Sequence, residues 1–391
     1  MQKFDIDRFN LKKLKLNEQK LILKKTEYND IVIKDNYLQD ENNNKIGTKG
    51  DMYTKKIIDY ILQNGTLDNN PRPYYKDLYK DAIYDKNNNT LILSNKEIKL
   101  GKNDKVIQKE EGLEVWTKAH TISVNNNIEC SYDLSKEETP LITLRPIAIK
   151  SSVAEILWIY QKESNDLVEF DELLEKNTWE QNHKINNWWE EWAIRDSKGN
   201  YILNDKNHPT IGSCYGETVR KRNILKTEVI EALKNNPDGR RNISSLWQQD
   251  DFKYQHGLKP CAFLTIWNIR HEWDGKDYLD MTLVQRSSDF LTAGCINQVQ
   301  YTVLQKMVAR ELGIEAGIFT WKPINIQLYD RHIEKAIEMI DRIPINCKAN
   351  IKLNEEIKEF EKFTPNDVYI EDYKKELIKK QNPPIKMQLG I

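Results

Sequence analysis

The sequence predicts an α+β fold built on a sizeable sheet. Two long stretches place apolar residues at helical spacing, and several short apolar runs before and between them read as strands. Hydrophobic residues make up 39% of the 391 positions, with 10 tryptophans, which is ample for a substantial core.

Residues 1–50 are dominated by Lys, Asn and Asp and read as a small polar extension, which leaves 51–391 as the main domain. In that domain Met52, Ile57, Ile58, Tyr60, Ile61 and Leu62 predict a helix over 52–63, with Gly65 as its C-cap. Around 79–112, the turns Lys86-Asn87-Asn88-Asn89 and Gly101-Lys102-Asn103-Asp104 surround β-like runs such as Thr90-Leu91-Ile92-Leu93, so an insertion or hairpin is expected. Strands are expected at 121–124 and 140–144, then a helix over 147–160. The runs 261–269 and 279–284 read as two further strands, and the polar stretch 285–289 reads as a loop turning into solvent. Val299, Val303, Leu304, Met307, Val308 and Leu312 share one face of a second long helix, ending before Gly313.

Charge and cysteine usage exclude several classes of function. With 59 basic and 60 acidic side chains the net charge is −1, so no global positive field draws in a nucleic acid polymer. Cys130, Cys214, Cys261, Cys295 and Cys347 have neither C-x-x-C nor zinc-type spacing and are expected to be reduced thiols in a cytoplasmic protein without a metal. The start, Met1-Gln2-Lys3-Phe4-Asp5, is charged, and no run approaches the roughly 20 apolar residues a bilayer requires, so neither secretion nor membrane insertion is expected.

Pro260-Cys261, followed by Gln285-Arg286-Ser287-Ser288-Asp289 and then Asn297, supplies a nucleophile, a permanent cation and a polar reader. A thiol is a weak nucleophile until ionised, and a nearby guanidinium lowers its pKa without titrating itself. The set suggests covalent catalysis on an anionic substrate. Each piece alone has an ordinary explanation: a cysteine beside a strand is usually a small core residue, and Arg240-Arg241 after Asn236-Pro237-Asp238-Gly239 is a basic turn. Two adjacent guanidiniums also suit a phosphate. Glu155, within Val153-Ala154-Glu155-Ile156-Leu157-Trp158, carries a desolvation cost that calls for a role or a buried partner.

In this order the pieces resemble thymidylate synthase and its relatives, the phage nucleotide hydroxymethylases, from about Met52 to Ile391. The resemblance is most specific at Pro260-Cys261, at 285–297, at Trp189-Glu190-Glu191-Trp192, at Tyr329-Asp330-Arg331-His332 and in the closing Pro384-Ile385-Lys386-Met387-Gln388-Leu389-Gly390-Ile391. It implies a thymidylate-synthase-like α+β fold whose large sheet is packed by helices and forms a homodimer interface. Cys261 would add to C6 of the uracil of dUMP, with Arg286 beside the phosphate helping to ionise the thiol. Glu155 would relay protons and Tyr215 would assist removal of the C5 proton. The phosphate would be held by Arg286, Ser287, Arg72 and, from the neighbouring subunit, Arg240 and Arg241. Gln327 and Tyr329 would meet the sugar. Asn297 would read the base; an amide there suits uracil, whereas the phage deoxycytidylate hydroxymethylases carry an aspartate, so dUMP is favoured over dCMP. The co-substrate 5,10-methylenetetrahydrofolate would sit against Trp189, Trp192 and Asp289 under the tail that ends at Ile391.

The chain departs from the family pattern at Ala262, Asn325, Gln327, Cys295 and Ile296. These departures keep open a dUMP 5-hydroxymethylase, in which water replaces the hydride, and an inactive nucleotide-binding homologue is a second alternative. Trp189 and the closing tail favour a dry site and hydride transfer. The joint presence of Cys261, Arg286, Asp289, Asn297 and Glu155 favours an enzyme.

Overall fold

The computed structural model describes residues 32–34, 37–39, 42, 44–68, 71, 73–125, 128–252 and 258–390, so most of the expected 1–50 extension lies outside the described residues. Helix α1 (Lys49–Asn64) begins in a capping box: the Thr48 side chain accepts from Asp51 N, and Asp51 accepts from Thr48 N at 2.9 Å. It ends at Gly65, where a Cβ would lie 2.4 Å from Ile122 Cγ2, so the glycine serves close approach.

The strand expected at 140–144 does not form. Its buried backbone finds partners on side chains instead of a neighbouring strand. The fully buried Asp51 carboxylate accepts from Thr143 N at 2.6 Å, Thr143 Oγ1 at 2.7 Å and Leu144 N at 3.3 Å, while Thr48 Oγ1 donates to Leu141 O at 2.5 Å.

The main sheet has seven strands: β1 (Thr66–Leu67), β2 (Thr121–Asn125), β3 (Cys130–Asp133), β4 (Ile243–Ser245), β5 (Ala262–His271), β6 (Asp277–Asp289) and β7 (Glu315–Tyr329). Their order is β4-β5-β6-β7-β2-β1, with β3 pairing β7 beside β2. β5 and β6 are antiparallel. β6 and β7 are parallel, with Ser287 opposite Asn325 and Asp289 opposite Gln327. The stretch 285–289 is therefore strand rather than loop, because the ladder to β7 satisfies its backbone.

Helix α2 (Ile149–Tyr160) packs on α3 (Cys295–Leu312), with the Tyr160 and Tyr301 hydroxyls 3.2 Å apart. α3 is the crossover between the parallel strands β6 and β7, and it stops at Gly313, which takes a left-handed φ of 73° and donates to Ala309 O and Arg310 O. Trp158, Trp267 and Trp321 lie fully buried between the helices and the sheet. The segment containing the expected 79–112 insertion folds as two small antiparallel sheets, Tyr74–Tyr79 with Gly112–Lys118 and Lys105–Lys109, and Ile83–Asp85 with Thr90–Leu93 and Lys96–Lys99. Leu91, Leu100, Leu113 and Val115 give it a core of its own.

Candidate active site

Cys261 sits immediately before β5 and is tied in by its backbone. Its N–H donates to the Tyr215 hydroxyl at 3.1 Å, and its carbonyl accepts the Arg286 N–H at 2.9 Å. Tyr215 has φ 50° and ψ −114°, a conformation that costs a bulky residue on the order of 1–3 kcal/mol. Surrounding packing holds it there: the ring is buried and meets Trp189 edge-on at 5.1 Å.

The Arg286 guanidinium donates from Nε to Pro260 O at 2.9 Å and from Nη2 to Lys259 O at 2.7 Å, and it lies over the Trp247 ring at 5.5 Å. It acts on the Cys261 sulfur through space. Burial pushes the thiol up and the Arg286 charge opposes it, with burial the larger influence. The expected net lowering of the thiol pKa is therefore absent in this arrangement.

One ladder step away the site becomes an array of uncharged amides. Gln285 Nε2 donates to Asn297 Oδ1 at 3.0 Å and to Ser287 O at 3.1 Å, while Gln285 Oε1 accepts from Trp321 Nε1 at 2.8 Å. Asn297, in the first turn of α3, passes its own Nδ2–H to Gln300 Oε1 at 2.9 Å. Ser287 Oγ donates to Gln327 Oε1 at 3.2 Å. Asn325 Nδ2 donates to Asn125 Oδ1 at 2.6 Å.

Glu155 projects from α2 into a buried setting and accepts the Trp189 indole N–H at 3.1 Å. Burial raises its carboxyl to about 7, with Trp189 and Gln300 favouring the ionised form. Gln300 Nε2 is close enough to exert that influence without making a well-formed hydrogen bond. Trp192 is half-buried against Trp189, their ring centroids 5.5 Å apart. Asp289 heads the turn after β6 and accepts from Thr292 N at 3.4 Å; burial pushes its carboxyl up, against the influence of Thr292, His332 and Arg145.

The C-terminal tail lies across the end of β7. Gly390 touches Tyr329 so closely that a Cβ there would be 2.5 Å from the ring. Gln388 holds the tail: its carbonyl is 2.8 Å from His332 Nε2, its Oε1 accepts from Arg331 Nη1 at 2.6 Å, and its Nε2 donates to Lys76 O and Asp77 Oδ1, both at 3.0 Å. Asp77 completes the anchor with a two-oxygen pair to Arg331 at 2.9 and 2.8 Å.

Cys261, Arg286, Tyr215, Glu155, Trp189, Trp192, Ser287, Asp289, Asn297, Gln327 and Tyr329 thus fall on adjoining elements. Arg240 and Arg241 do not join them. They are exposed beside β4, whose Ile243 pairs with Ile266, so Arg241 lies level with Asn268, roughly 20 Å along β5 from Cys261. Arg72 and Ile391 lie outside the described residues. Sequence reasoning gave no role to Gln300, Trp321 or Asp77, nor to Gln285 beyond its place in the motif. A buried amide among apolar neighbours was the available signal for Gln285 and Gln300. Among the described residues no helix is long and apolar enough to cross a membrane, and no group of three or more His, Cys, Asp or Glu could hold a metal ion.

A family model described as thymidylate synthase matches residues 101–389. The thymidylate synthase of Streptococcus pneumoniae (strain ATCC 700669 / Spain 23F-1) is 36% identical over 308 residues, covering 78% of this chain and 88% of its own. That of Streptococcus sanguinis (strain SK36) is 43% identical over 224 residues, covering 57% and 72%. Among solved structures, the thermostable thymidylate synthase A from Bacillus subtilis superposes with a TM-score of 0.63 at 25% identity, covering 88% of this chain and 99% of that one.

Proposed function

The chain belongs to the thymidylate synthase family and acts as a thymidylate synthase, a one-carbon transferase, and from that premise we propose that Cys261 makes the covalent attack on C6 of dUMP. One observation carries this reading: Cys261 and Arg286 share a hydrogen-bonded step of the β5–β6 pair, and Asn297 is bonded to Gln285, the residue before Arg286. A nucleotide there meets thiol, guanidinium and amide together. Attack by sulfur at C6 makes C5 nucleophilic; C5 takes up a one-carbon unit and loses its proton, and expulsion of sulfur restores the ring double bond. Glu155, with its carboxyl near 7, can hold or release a proton at neutral pH, and the Tyr215 hydroxyl lies beside the nucleophile's backbone.

The co-substrate in this reading is 5,10-methylenetetrahydrofolate, which supplies the methylene carbon and then a hydride. The residues fit it. Trp192 offers a half-buried indole, and Asp289 has acceptor capacity beyond its bond to Thr292 for a pterin N–H. The tail over Tyr329 would exclude water. Ser287, Gln327 and Tyr329 would hold phosphate and sugar, with Arg72 assigned to the phosphate from the sequence alone.

The protein in this reading is a cytoplasmic homodimer, in keeping with its five free cysteines. Arg240 and Arg241 are too far along β5 to reach their own Cys261 and would serve the phosphate of the neighbouring subunit. Mixing Cys261→Ala with Arg240→Ala subunits should restore part of the activity through the intact hybrid site; confirmed hybrids without recovery would count against sharing.

The decisive experiment supplies dUMP and methylenetetrahydrofolate, follows dihydrofolate absorbance and identifies the nucleotide by mass spectrometry. Dihydrofolate and dTMP should appear in equal amounts. Hydroxymethyl-dUMP without dihydrofolate would establish the second reading, for which Asn325 and Gln327 are the motivating departures.

A further inference from the structure

We propose that Trp321, acting through Gln285, fixes the orientation of the Asn297 amide and is thereby a specificity-determining residue for the pyrimidine. The proposal rests on the reading of Asn297 as the residue that meets the base. An Asn side chain has nearly the same shape after a half-turn about its last bond, but its donor and acceptor change places. Uracil offers an acceptor at O4 beside a donor at N3–H; cytosine offers a donor at its amino group beside an acceptor at N3. One orientation of Asn297 therefore reads uracil, and the reversed one reads cytosine. Something in the protein must choose between them.

The choice begins at a group that cannot reverse. The Trp321 indole N–H only donates, so the oxygen it meets at 2.8 Å must be Gln285 Oε1. That leaves Gln285 Nε2 facing Asn297 at 3.0 Å, so the atom it meets must be Asn297 Oδ1, and Asn297 Nδ2 is turned toward Gln300 Oε1 at 2.9 Å. The Ser287 carbonyl, which only accepts, agrees with this order at 3.1 Å from Gln285 Nε2. At the far end the Glu155 carboxylate, once ionised, also only accepts, and it opposes reversal of Gln300. Asn297 keeps one N–H and one lone pair for the base.

The fold makes this arrangement rigid. Trp321 is opposite Leu283 in the β6–β7 register, which makes it the diagonal neighbour of Gln285 on the same face. Both side chains are buried, and Phe290 stacks on the indole at 6.2 Å. Water cannot substitute for the missing donor without opening the core.

The test compares kcat/KM for dUMP and dCMP, with methylenetetrahydrofolate, in the wild type and in Trp321→Phe, which keeps an aromatic ring and removes the N–H. Gln285 Oε1 is then buried without its donor, so the native order loses the bond that set it above the reversed one, only the Ser287 carbonyl and Glu155 still oppose reversal, and the dUMP:dCMP ratio should fall about tenfold. Simple damage to packing would lower both values together and leave the ratio unchanged. Gln285→Glu provides a second route: an ionised carboxylate cannot donate to Asn297 Oδ1 and turns Asn297 Nδ2 toward itself, so the ratio should fall again. If circular dichroism shows that Trp321→Phe does not fold, Gln285→Glu decides. A wild type that uses both nucleotides alike overturns the reading of Asn297 and this proposal with it. A discriminating wild type whose ratio survives in the folded variants overturns the proposal alone.

Discussion

Around Cys261 the fixed donors meet backbone carbonyls, whereas around Asn297 they meet other side chains. Arg286 donates to Pro260 O and Lys259 O, and the Tyr215 hydroxyl accepts the Cys261 N–H, so at the proposed nucleophile every one of these bonds has a main-chain group as one partner. The end proposed to read the base is a run of three amides that starts at the Trp321 indole and faces the Glu155 carboxylate, and in it each member depends on the identity of the next. The first end resists drift in its neighbours; the second converts a change at one residue into a change of polarity at another. Charge is handled differently too. The thiol keeps its guanidinium beside it, while Glu155 has only neutral hydrogen-bond donors and titrates near 7.

The contrast is broken most forcefully at the nucleophile. Cys261→Ser should lower dTMP formation by at least about a thousandfold while dUMP affinity, measured calorimetrically, stays within a few-fold. Turnover that survives the change would remove Cys261 from the chemistry.

At the other end, Glu155→Gln should lower kcat by roughly a hundredfold or more and yet stabilise the protein at alkaline pH. Burial raises the Glu155 carboxyl from its ordinary 4.5 to about 7. Its contribution to stability is fully present below about 4.5 and is lost as pH rises through about 7. The variant, neutral throughout, should therefore match the wild type near pH 4.5 and exceed it by roughly 3 kcal/mol above pH 7. Denaturant melts across that window measure the gap; a constant difference would mean that the carboxyl is not buried as described.

The smallest effect is expected at the tail anchor, which belongs to neither end. Asp77→Asn loosens a half-exposed pair with Arg331, so KM for methylenetetrahydrofolate should rise about threefold with dUMP affinity unchanged. An equal loss for both substrates would show that the anchor supports the whole site.

That Cys261, Arg286 and Asn297 lie together was legible from their order along the chain, since the chemistry they suggest restricts residue type tightly. The strands of the β5–β6 hairpin were legible from their apolar runs, and α2 and α3 from their helical periodicity. β7 was not assigned, although Phe319, Trp321 and Pro323 are buried in alternation with more exposed neighbours. Pro323 argues against a central strand, and the fold accommodates it between the stretches paired with β3 and with β2. The strand expected at 140–144 failed for the opposite reason: its apolar residues are buried, but Asp51, far away in sequence, supplies the backbone partners a ladder would have given. The place of Trp321 in the site was hidden with its strand, since a lone tryptophan in unassigned sequence reads as core.

β6, the turn Phe290–Gly294, α3 and β7 are consecutive in the chain, and Gln285, Asn297, Gln300, Trp321 and Gln327 all lie within that one crossover unit. On the proposed assignment, nucleobase preference is therefore written in a single contiguous segment, whereas Cys261 and Glu155 come from outside it. In heredity such a segment behaves as a cassette: one recombination event could exchange the whole reader and leave the catalytic thiol in place, so preference and chemistry are free to evolve at different rates.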